Sequence, residues 1–422
     1  MNDPDGIRLS ENEAKTTGVG GAFKTIDMDE GALEIIEALN AAGFEAYAVG
    51  GCVRDALLNK SPEDWDITTS AMPDDVKALF PRTFDTGIEH GTVSVLLQGK
   101  TYEVTTYRTD GDYKDHRHPE AVSFTKSLFE DVARRDFTIN AMAYHPVEGL
   151  KDFFGGQKDL SANIIRCVGD PKKRFDEDAL RMLRAVRFAS RLSFAIEDKT
   201  LEAICEMAPT LRHVSRERVM DEVTKTLMGP HPEGLAVARA TGLVPYIAKS
   251  LGDGKELDFD SPGRVQEKKA VRFAALLHRS GSEKANAVLR ELKSDNETRK
   301  GTVHLLEHLG DALPGDEKAM RFFLHEVGKD WTKDLLELKK VCHGEDTAAA
   351  WELYEKEKNA AVTLAELSVS GKDLIAAGFP QSQALGEVLA FLLKKVIEDP
   401  SLNTKDKLLE LCYNKNDILP VL

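Results

Sequence analysis

The sequence of 422 residues predicts an α+β fold in which a mixed head precedes an all-helical remainder. Two observations support this fold class. Short apolar and β-branched runs alternate with helical segments up to about residue 165, whereas from Asp176 onward only the helical period remains. Hydrophobic residues make up 42% of the chain, which is enough for packed cores and too many for a disordered chain. We therefore expect a loose tail at 1–24 and a head at 25–165.

Within the head, each element follows from its side-chain period and from the turn residues that bound it. Pro73 lies near the start of one helix, where proline is favoured, and residues 98–100 join two β-rich runs into a hairpin. The polar stretch at 110–120 predicts a mobile loop. In chain order we predict a helix at 29–42, a strand at 46–49, a helix at 53–58, a strand at 65–68, a helix at 74–79 and strands at 92–97 and 101–107.

Composition limits the classes of function. The net charge of -15 argues against a nucleic-acid partner, because phosphate binding needs basic surface. The charge is uneven, however: between Arg166 and Met228 the chain holds 13 Lys and Arg against 11 Asp and Glu. A local basic face on an acidic protein is therefore compatible with the sequence. Within the helical remainder, the stretches at 253–263 and 309–315 predict linkers.

Targeting and redox features indicate a cytoplasmic protein. No apolar run approaches the roughly 20 residues that span a bilayer. The first residues lack the basic and apolar regions of a secretory signal. The five cysteines are widely spaced and form no Cys-x-x-Cys pair, which predicts free thiols and no cysteine-based zinc site. We expect no membrane partner.

Asp64 and Asp66 are the first candidate metal ligands. They occupy positions i and i+2 of a predicted strand, so both carboxylates point to one face. Two neighbouring carboxylates repel each other unless a cation lies between them, and their hard oxygen atoms favour Mg²⁺. A two-metal site would activate an attacking hydroxyl and neutralise a leaving pyrophosphate. The alternative is a solvated strand edge, which is the commoner outcome for an isolated Asp-x-Asp.

Gly50 and Gly51 lie where a predicted strand turns into a helix, in the sequence GGCVRD. Glycines let a phosphate approach the backbone, and a helix start offers free N–H groups. Arg54 adds a guanidinium for a phosphate oxygen. A plain tight turn is the alternative, but the position about 13 residues before Asp64 favours a phosphate site facing the metal site.

Two further segments carry charged side chains in unusual places. Glu103 interrupts an apolar and β-branched strand, so it is either a third metal-facing carboxylate or an outward polar residue. Arg134 and Arg135 directly precede Asp136, an arrangement that suits either a triphosphate clamp or a surface ion pair. Neither segment decides between its alternatives alone.

The segment 177–188 carries charges at three-residue intervals, namely Asp178, Arg181, Arg184 and Arg187. On a single helix these four residues share one side. The ordinary interpretation is a solvated helix face. Alternatively, Asp178 and Arg181 present an acceptor and donors to a nucleobase edge, while the other arginines meet phosphates. In this second interpretation, the protein would select the incoming base without a nucleic-acid template.

In this order, the motifs resemble those of the class II bacterial tRNA nucleotidyltransferases, the CCA-adding enzymes. The resemblance extends from Tyr47 to Leu251 and rests on GGCVRD, DWDI, TGIEHGTVSV, YEVTTYRTDGDYKDHRHPE, RRDFTINAMAY, EDALRMLRAVRFA and SRERVMDEV. It implies a polymerase-β-type nucleotidyltransferase head with a small mixed sheet. It also implies a helical neck at 166–252 and a helical body and tail at 253–422 that bind tRNA. The implied reaction adds CCA to the 3′ end of tRNA from CTP and ATP, with Mg²⁺, and releases pyrophosphate.

The resemblance implies a role for each candidate residue. Asp64 and Asp66 match the metal-binding carboxylates, and Glu103 aligns with an acidic strand position assigned to the same catalytic group. The nucleotide contacts are matched by Gly50, Gly51, Arg54 and Arg135, the base-reading pair by Asp178 and Arg181, and the neighbouring contacts by Arg184 and Arg187.

Two segments refine this expectation. The stretch 109–120 corresponds to a flexible loop associated with the switch from CTP to ATP, which argues against an enzyme that adds only CC. Residues 274–279 resemble part of a metal-dependent HD phosphohydrolase, but Arg279 stands where that site needs an Asp. Because a cation cannot replace a ligating carboxylate, we expect no HD phosphohydrolase metal site.

Two other functions remain open at this point. A poly(A) polymerase shares the catalytic core and would add long A tails. A catalytically silent RNA-binding protein would retain the fold, although the intact DWDI, GG and RRD segments count against it. We expect a monomer or a weak homodimer.

Overall fold

A computed structural model describes residues 26–110, 122–381 and 384–413. The chain divides into two compact units, Met1–Asp178 with Ala195–Thr200 and Ala179–Phe194 with Leu201–Leu422. The predicted tail at 1–24 and residues 111–120 of the predicted loop lie outside the described residues. The predicted divisions after residues 165 and 252 stay predictions.

The first unit contains a mixed β-sheet. The described strands are β1 (Ala46–Val49), β2 (Asp66–Thr69), β3 (Thr83–Gly87), β4 (Thr92–Leu97), β5 (Lys100–Thr106), β6 (Arg108–Asp110), β7 (Val122–Phe124), β8 (Met142–His145), β9 (Gly149–Asp152), β10 (Ile164–Ile165) and β11 (Ala195–Ile196). Seven of them form one sheet in the order β3-β4-β5-β2-β1-β8-β9. Within this sheet β2 and β5 run parallel, and the other neighbours are antiparallel. Strand β2 therefore lies at the centre of the sheet.

The described helices of the first unit are α1 (Glu30–Ala41), α2 (Gly51–Leu57), α3 (Pro73–Leu79), α4 (Leu128–Ala133), α5 (Gly156–Ser161) and α6 (Pro171–Glu177). Of these, α1 to α4 pack on this sheet. The Asp29 side chain caps α1 by accepting a hydrogen bond from the Gly31 amide at 3.1 Å. One buried cluster joins sheet residues such as Tyr47 and Ala143 to Val132 of α4. The core thus holds α4 against the sheet.

These elements confirm the predicted α+β fold class of the head. The predicted hairpin is present, and its turn residues Gln98 and Gly99 both have positive φ, 52° and 80°. The helix predicted at 53–58 begins two residues earlier, at Gly51. Strand β3 was not predicted, because Phe84 is its only apolar side chain and its other side chains are polar.

The described part of the second unit is helical. Its helices, including the one that begins at Asp198, are α7 (Leu180–Leu192), α8 (Asp198–Met207), α9 (Arg216–Leu227), α10 (Ala236–Ala240), α11 (Val244–Ile247), α12 (Lys269–Leu277), α13 (Ser282–Glu291), α14 (Asn296–His308), α15 (Glu317–Val327), α16 (Lys329–Leu338), α17 (Ala348–Glu357), α18 (Gly371–Ala376), α19 (Ala384–Glu398) and α20 (Lys405–Tyr413). Both stretches predicted as linkers lie inside this unit. Leu257 and Phe259 are buried, so the stretch at 253–263 packs into the unit instead of separating two bodies.

Buried cations satisfy the free carbonyl groups at several helix ends. Arg321 donates from Nε to the Ile397 carbonyl at 2.7 Å and from Nη2 to that of Glu398 at 3.2 Å, at the end of α19. Lys339 is fully buried and donates to the Leu309 carbonyl at 2.8 Å, just after α14. Such contacts replace the intrahelical partners that the last turn lacks. Across the described ranges, none of the helices has the length and apolar content needed to cross a membrane.

Candidate active site

Carboxylates line the centre of the sheet in the first unit. Asp66 at the start of β2 and Glu103 in β5 are direct partners in the parallel register. Partners in neighbouring strands project to the same face. Asp64 lies two residues before Asp66 but outside β2, so it is not on the strand as predicted. All three residues are exposed, whereas Ile67 and Val104 beneath them are buried. The sheet thus places Glu103 beside Asp66, one of the two predicted metal ligands.

Electrostatic repulsion within this row is visible in the titration of Asp66. Its pKa is raised above the ordinary value, first by partial loss of solvent and then by the neighbouring charges of Glu103 and Asp64. The Arg135 guanidinium opposes the rise and therefore lies within electrostatic reach of Asp66. A cation at this row would relieve the repulsion.

The donor set suits a hard divalent cation. Mg²⁺ in proteins is held by one or two carboxylates together with substrate phosphates and water. Among the residues described, no three Asp, Glu, His or Cys side chains are arranged to hold a metal ion. The pair of Asp64 and Asp66 therefore fits a cation that completes its shell with a nucleotide, rather than a closed protein cage.

The Gly50–Gly51 turn connects β1 to α2 beside Arg135. The backbone φ angle of Gly50 is 85°, a value that residues other than glycine rarely adopt. A Cβ atom at Gly50 would lie only 3.0 Å from Nη1 of Arg135. Glycine is therefore required here both by the backbone and by the close approach of the guanidinium. The turn and Arg135 form one surface, as the phosphate-site prediction needs.

Arg54 takes part in a buried network, which differs from a simple exposed phosphate contact. It is 3% exposed, and its Nε and Nη2 donate to the two carboxylate oxygens of Asp55, both at 2.8 Å. Its Nη1 donates to Oδ1 of Asn140 at 2.6 Å, and Asn140 donates to Asp136 at 3.1 Å. This network ties the GGCVRD segment to the RRD segment. A contact between Arg54 and a triphosphate stays a prediction.

Arg135 has one side fixed and one polar atom unsatisfied. Its Nη2 lies 3.6 Å from Oδ2 of Asp131, a fully buried carboxylate on α4. Its Nε is buried without a hydrogen-bond partner. A buried polar atom without a partner is costly, and a bound anion would satisfy it. The residue therefore fits the predicted nucleotide contact.

In the second unit, the three arginines of the predicted base-reading segment share α7. Arg187 donates from Nε to Oε2 of Glu222 on α9 at 2.6 Å, and Nη1 of Arg184 lies 3.8 Å from the other oxygen. Arg181, Arg187 and Glu222 are buried. The face is therefore an internal ion network and not a solvated surface.

The prediction that Asp178 shares this helix face is wrong. Helix α6 ends at Glu177, α7 begins at Leu180, and Asp178 between them has an extended backbone with φ of -147° and ψ of 103°. The three-residue spacing therefore does not place Asp178 on the side of α7 that carries Arg181. Asp178 ends the first unit, whereas Arg181 belongs to the second. The residues that sequence reasoning missed are Asp131, Asn140 and Glu222; Asn140 and Glu222 occur inside the motifs RRDFTIN and SRERVMDEV.

Comparison with known proteins identifies the family. Three family models match the chain: the Poly A polymerase head domain over residues 46–166, the RNA and SrmB binding site of polymerase A over 193–253, and tRNA nucleotidyltransferase domain 2 over 265–412. The CCA-adding enzyme of Enterococcus faecalis is 40% identical to this chain over 415 residues, which cover 94% of this chain and 97% of that protein. The chain belongs to the family of CCA-adding enzymes.

Further CCA-adding enzymes match over similar lengths. The CCA-adding enzyme of Geobacillus stearothermophilus is 39% identical and covers 91% of this chain, with 96% of that protein aligned. The crystal structure of the Bacillus stearothermophilus CCA-adding enzyme in complex with CTP matches with a TM-score of 0.79 at 35% identity. The match covers 92% of this chain and 99% of the chain in that crystal structure. The polymerase-β-type head expected from the motifs is thus confirmed.

Proposed function

We propose that this protein adds CCA to the 3′ end of tRNA from CTP and ATP, without a template, and releases pyrophosphate. The observation that supports this most strongly is the 40% identity to a CCA-adding enzyme over 94% of the chain. The grouping of Asp66, Glu103 and Arg135 in the first unit supports the same chemistry. Membership of the family carries dependence on a divalent metal ion, and we assign Mg²⁺ as that ion.

Asp64 and Asp66 would hold the metal, with Glu103 beside them. When bound, two Mg²⁺ ions would lower the pKa of the attacking hydroxyl and neutralise charge on the pyrophosphate. In the reaction, the tRNA 3′-hydroxyl oxygen forms a bond to the α-phosphorus, and the bond from that phosphorus to the pyrophosphate oxygen breaks. Gly50, Gly51, Arg54 and Arg135 would contact the triphosphate, and the hydrogen bond from Arg54 to Asn140 would help to hold these segments together.

Base selection falls to Asp178 and Arg181 in our proposal, with Arg184 and Arg187 near the nucleotide. A carboxylate and a guanidinium together offer the acceptor and donors that distinguish cytosine and adenine from uracil and guanine. Loss of one such pair should reduce base discrimination by roughly 1–3 kcal/mol, as for other base-edge contacts. Glu222 supports this proposal because it holds Arg187 in a fixed position.

Three narrower expectations also stay predictions. We infer that the chain has no HD phosphohydrolase site: Asp258 accepts hydrogen bonds from His278 at 3.0 Å and from Arg279 at 2.8 Å, so protein donors occupy its carboxylate. We further infer a cytoplasmic enzyme that works as a monomer or a weak homodimer. The loop at 109–120 is proposed to support the change from CTP to ATP.

The deciding experiment uses purified protein, Mg²⁺ and a tRNA transcript that lacks its last three nucleotides. CTP alone, ATP alone and both nucleotides are supplied, and products are resolved at single-nucleotide length. Two additions with CTP and one more when ATP is present support the proposal. A long ladder with ATP alone would establish a poly(A) polymerase instead, and no extension in any mixture would leave an RNA-binding protein without transferase activity.

A further inference from the structure

A fully buried carboxylate lies behind the arginine pair of the first unit. Asp131 on α4 is 0% exposed, and its Oδ1 accepts hydrogen bonds from Nε and Nη2 of Arg134 at 3.1 and 2.9 Å. Its Oδ2 faces Nη2 of Arg135 at 3.6 Å. Although burial alone would raise the pKa of Asp131, the two arginines hold it below the ordinary value. The buried group is therefore an anion that faces two cations.

The same carboxylate is also joined to the central strand of the sheet. The Thr68 hydroxyl of β2 donates to Oδ2 of Asp131 at 3.0 Å, and the Arg108 amide donates to Oδ1 at 3.3 Å. Thr68 follows Asp66 by two residues, so the two side chains leave β2 on the same face. Asp131 thus links the arginine pair to the strand that carries the candidate metal ligand.

Arg135 is the arginine of this pair that reaches the site. While Nη2 faces Asp131, Nη1 lies against Gly50, 3.0 Å from where a Cβ atom would be. The Nε atom of Arg135 is buried and has no hydrogen-bond partner among the described residues. The guanidinium is therefore held by Asp131 on one side and lies against the Gly50 turn on the other, and the side chain keeps 20% of its surface exposed.

We propose that Asp131 is a positioning residue for nucleotidyl transfer, because it fixes the Arg135 guanidinium beside the Gly50 turn before the nucleotide binds. This inference rests on the proposed function, since it assigns the triphosphate as the ligand of Arg135. A guanidinium fixed in advance loses less conformational freedom when it binds an anion. Asp131 acts only through Arg135 and does not touch the nucleotide.

A double-mutant cycle separates this role from a purely structural one. Asp131→Asn, Arg135→Ala and the double variant are compared in steady-state CTP addition and in their unfolding midpoints. We expect Asp131→Asn to raise KM for CTP about tenfold with kcat changed less than about threefold, and to add less than about twofold to KM once Arg135 is alanine. An unchanged KM in folded Asp131→Asn, or effects that multiply in the double variant, would overturn the inference.

Two additional variants complete the test. Asp29→Asn is the matched control, because Asp29 also accepts hydrogen bonds within the first unit, from the Gly31 amide and the Tyr102 hydroxyl, and should leave KM for CTP unchanged. Should Asp131→Asn fail to fold, Thr68→Val removes only the hydroxyl that orients Asp131. A two- to threefold rise in its KM that disappears beside Arg135→Ala supports the inference, and an unchanged KM contradicts it.

Equilibrium binding of CTP in Mg²⁺, measured by dialysis, keeps the two proposals distinct. Failure of the wild-type protein to extend tRNA would overturn the proposed function alone. Weaker CTP binding by Asp131→Asn than by the wild type still supports the inference in that case, and equal binding contradicts it.

Discussion

At the scale of single residues, repulsion between neighbouring carboxylates determines the titration and the cation affinity that we expect of Asp66. Asp66 lies opposite Glu103 across two parallel strands and two residues after Asp64. Because solvent loss and these neighbours raise its pKa, its ionised form is less favourable in the folded protein than in the unfolded chain. The site is thus prepared for a cation at the expense of stability.

Replacing Asp66 should therefore separate activity from stability. We expect Asp66→Asn to lose CCA addition and, in EDTA at pH 7, to unfold at a temperature no lower than the wild type. The sign follows from linkage: a carboxyl group with a raised folded pKa destabilises the fold once pH exceeds its unfolded value. The exposed Asp27→Asn serves as the control and should keep activity. Normal turnover by Asp66→Asn would contradict the assignment.

At the scale of elements, helix ends depend on buried cations that belong to distant segments. Arg321 of α15 ties the end of α19 to Glu357 of α17, with Nη1 donating to the carboxylate at 3.0 Å. Its side chain is only 8% exposed, so loss of the guanidinium would leave both a carboxylate and two carbonyl groups without partners.

We expect Arg321→Leu to lower the free energy of unfolding by about 3–5 kcal/mol, as for other broken buried pairs. Urea denaturation would measure the change. Lys318→Met is the matched control on the same helix, because Lys318 is exposed and its nitrogen lies 3.8 Å from Glu398. Its loss should change the free energy by less than about 1 kcal/mol. Equal effects of the two variants would contradict the capping role.

Two glycines within helices predict opposite changes in stability. A Cβ atom at Gly301 of α14 would lie 2.4 Å from the Trp331 ring and 3.0 Å from Ala270, whereas one at Gly386 of α19 would meet nothing within 4 Å. Gly301→Ala should destabilise by about 1–3 kcal/mol through overpacking. Gly386→Ala should stabilise by about 0.5 kcal/mol, because alanine favours the helix. Thermal denaturation of both variants, with the wild type as reference, tests the contrast; a stabilised Gly301→Ala would contradict it.

Local signals account for most of the elements that the sequence predicts correctly. Apolar period and turn glycines locate α1, β1 and the hairpin of β4 with β5, since each forms between neighbours in sequence. The break between α6 and α7 carries no Gly and no Pro at Asp178, so the charge period appeared to continue through it. Glu222 could not be found either, because it pairs with Arg187 of another helix that it meets only in the folded chain. Asp131 lies three and four residues before its two arginine partners, so helical spacing could have found this pairing, but not the contact of Asp131 with Thr68 of β2.

At the scale of the whole molecule, acid should unfold the chain by protonating a few carboxylates. Hydrogen bonds from His278 and from Ser261 and its neighbours lower the pKa of Asp258 from 3.8 to about 2, although burial opposes this. The pKa of Glu366 falls from 4.5 to about 2 despite burial, chiefly through Lys329 and the amides of 362 and 363. Both groups therefore favour the folded state only when they are ionised.

The contribution of Asp258 and Glu366 to the free energy of unfolding should accordingly be constant above about pH 5 and fall as pH decreases from about 4.5 to 2. Asp258 should contribute about 2 kcal/mol of this loss, from a pKa shift of roughly two units. Urea denaturation at several pH values would measure it. Asp258→Asn should lower the free energy of unfolding by that amount at pH 7, and its free energy of unfolding should approach that of the wild type near pH 2. Asp260→Asn, which changes an exposed carboxylate nearby, should follow the wild-type curve; if Asp258→Asn does the same, the assignment is wrong.

The parallel register of β2 with β5 also governs when activity can appear during folding. Asp66 and Glu103 are far apart in sequence, because α3, β3 and β4 lie between their two strands in the chain. Pairing of this kind closes a long loop and is slow compared with helix formation. Helical content should therefore return early when the denatured enzyme is diluted into buffer. Transferase activity should return later, and the rate of its recovery should report how fast β2 pairs with β5.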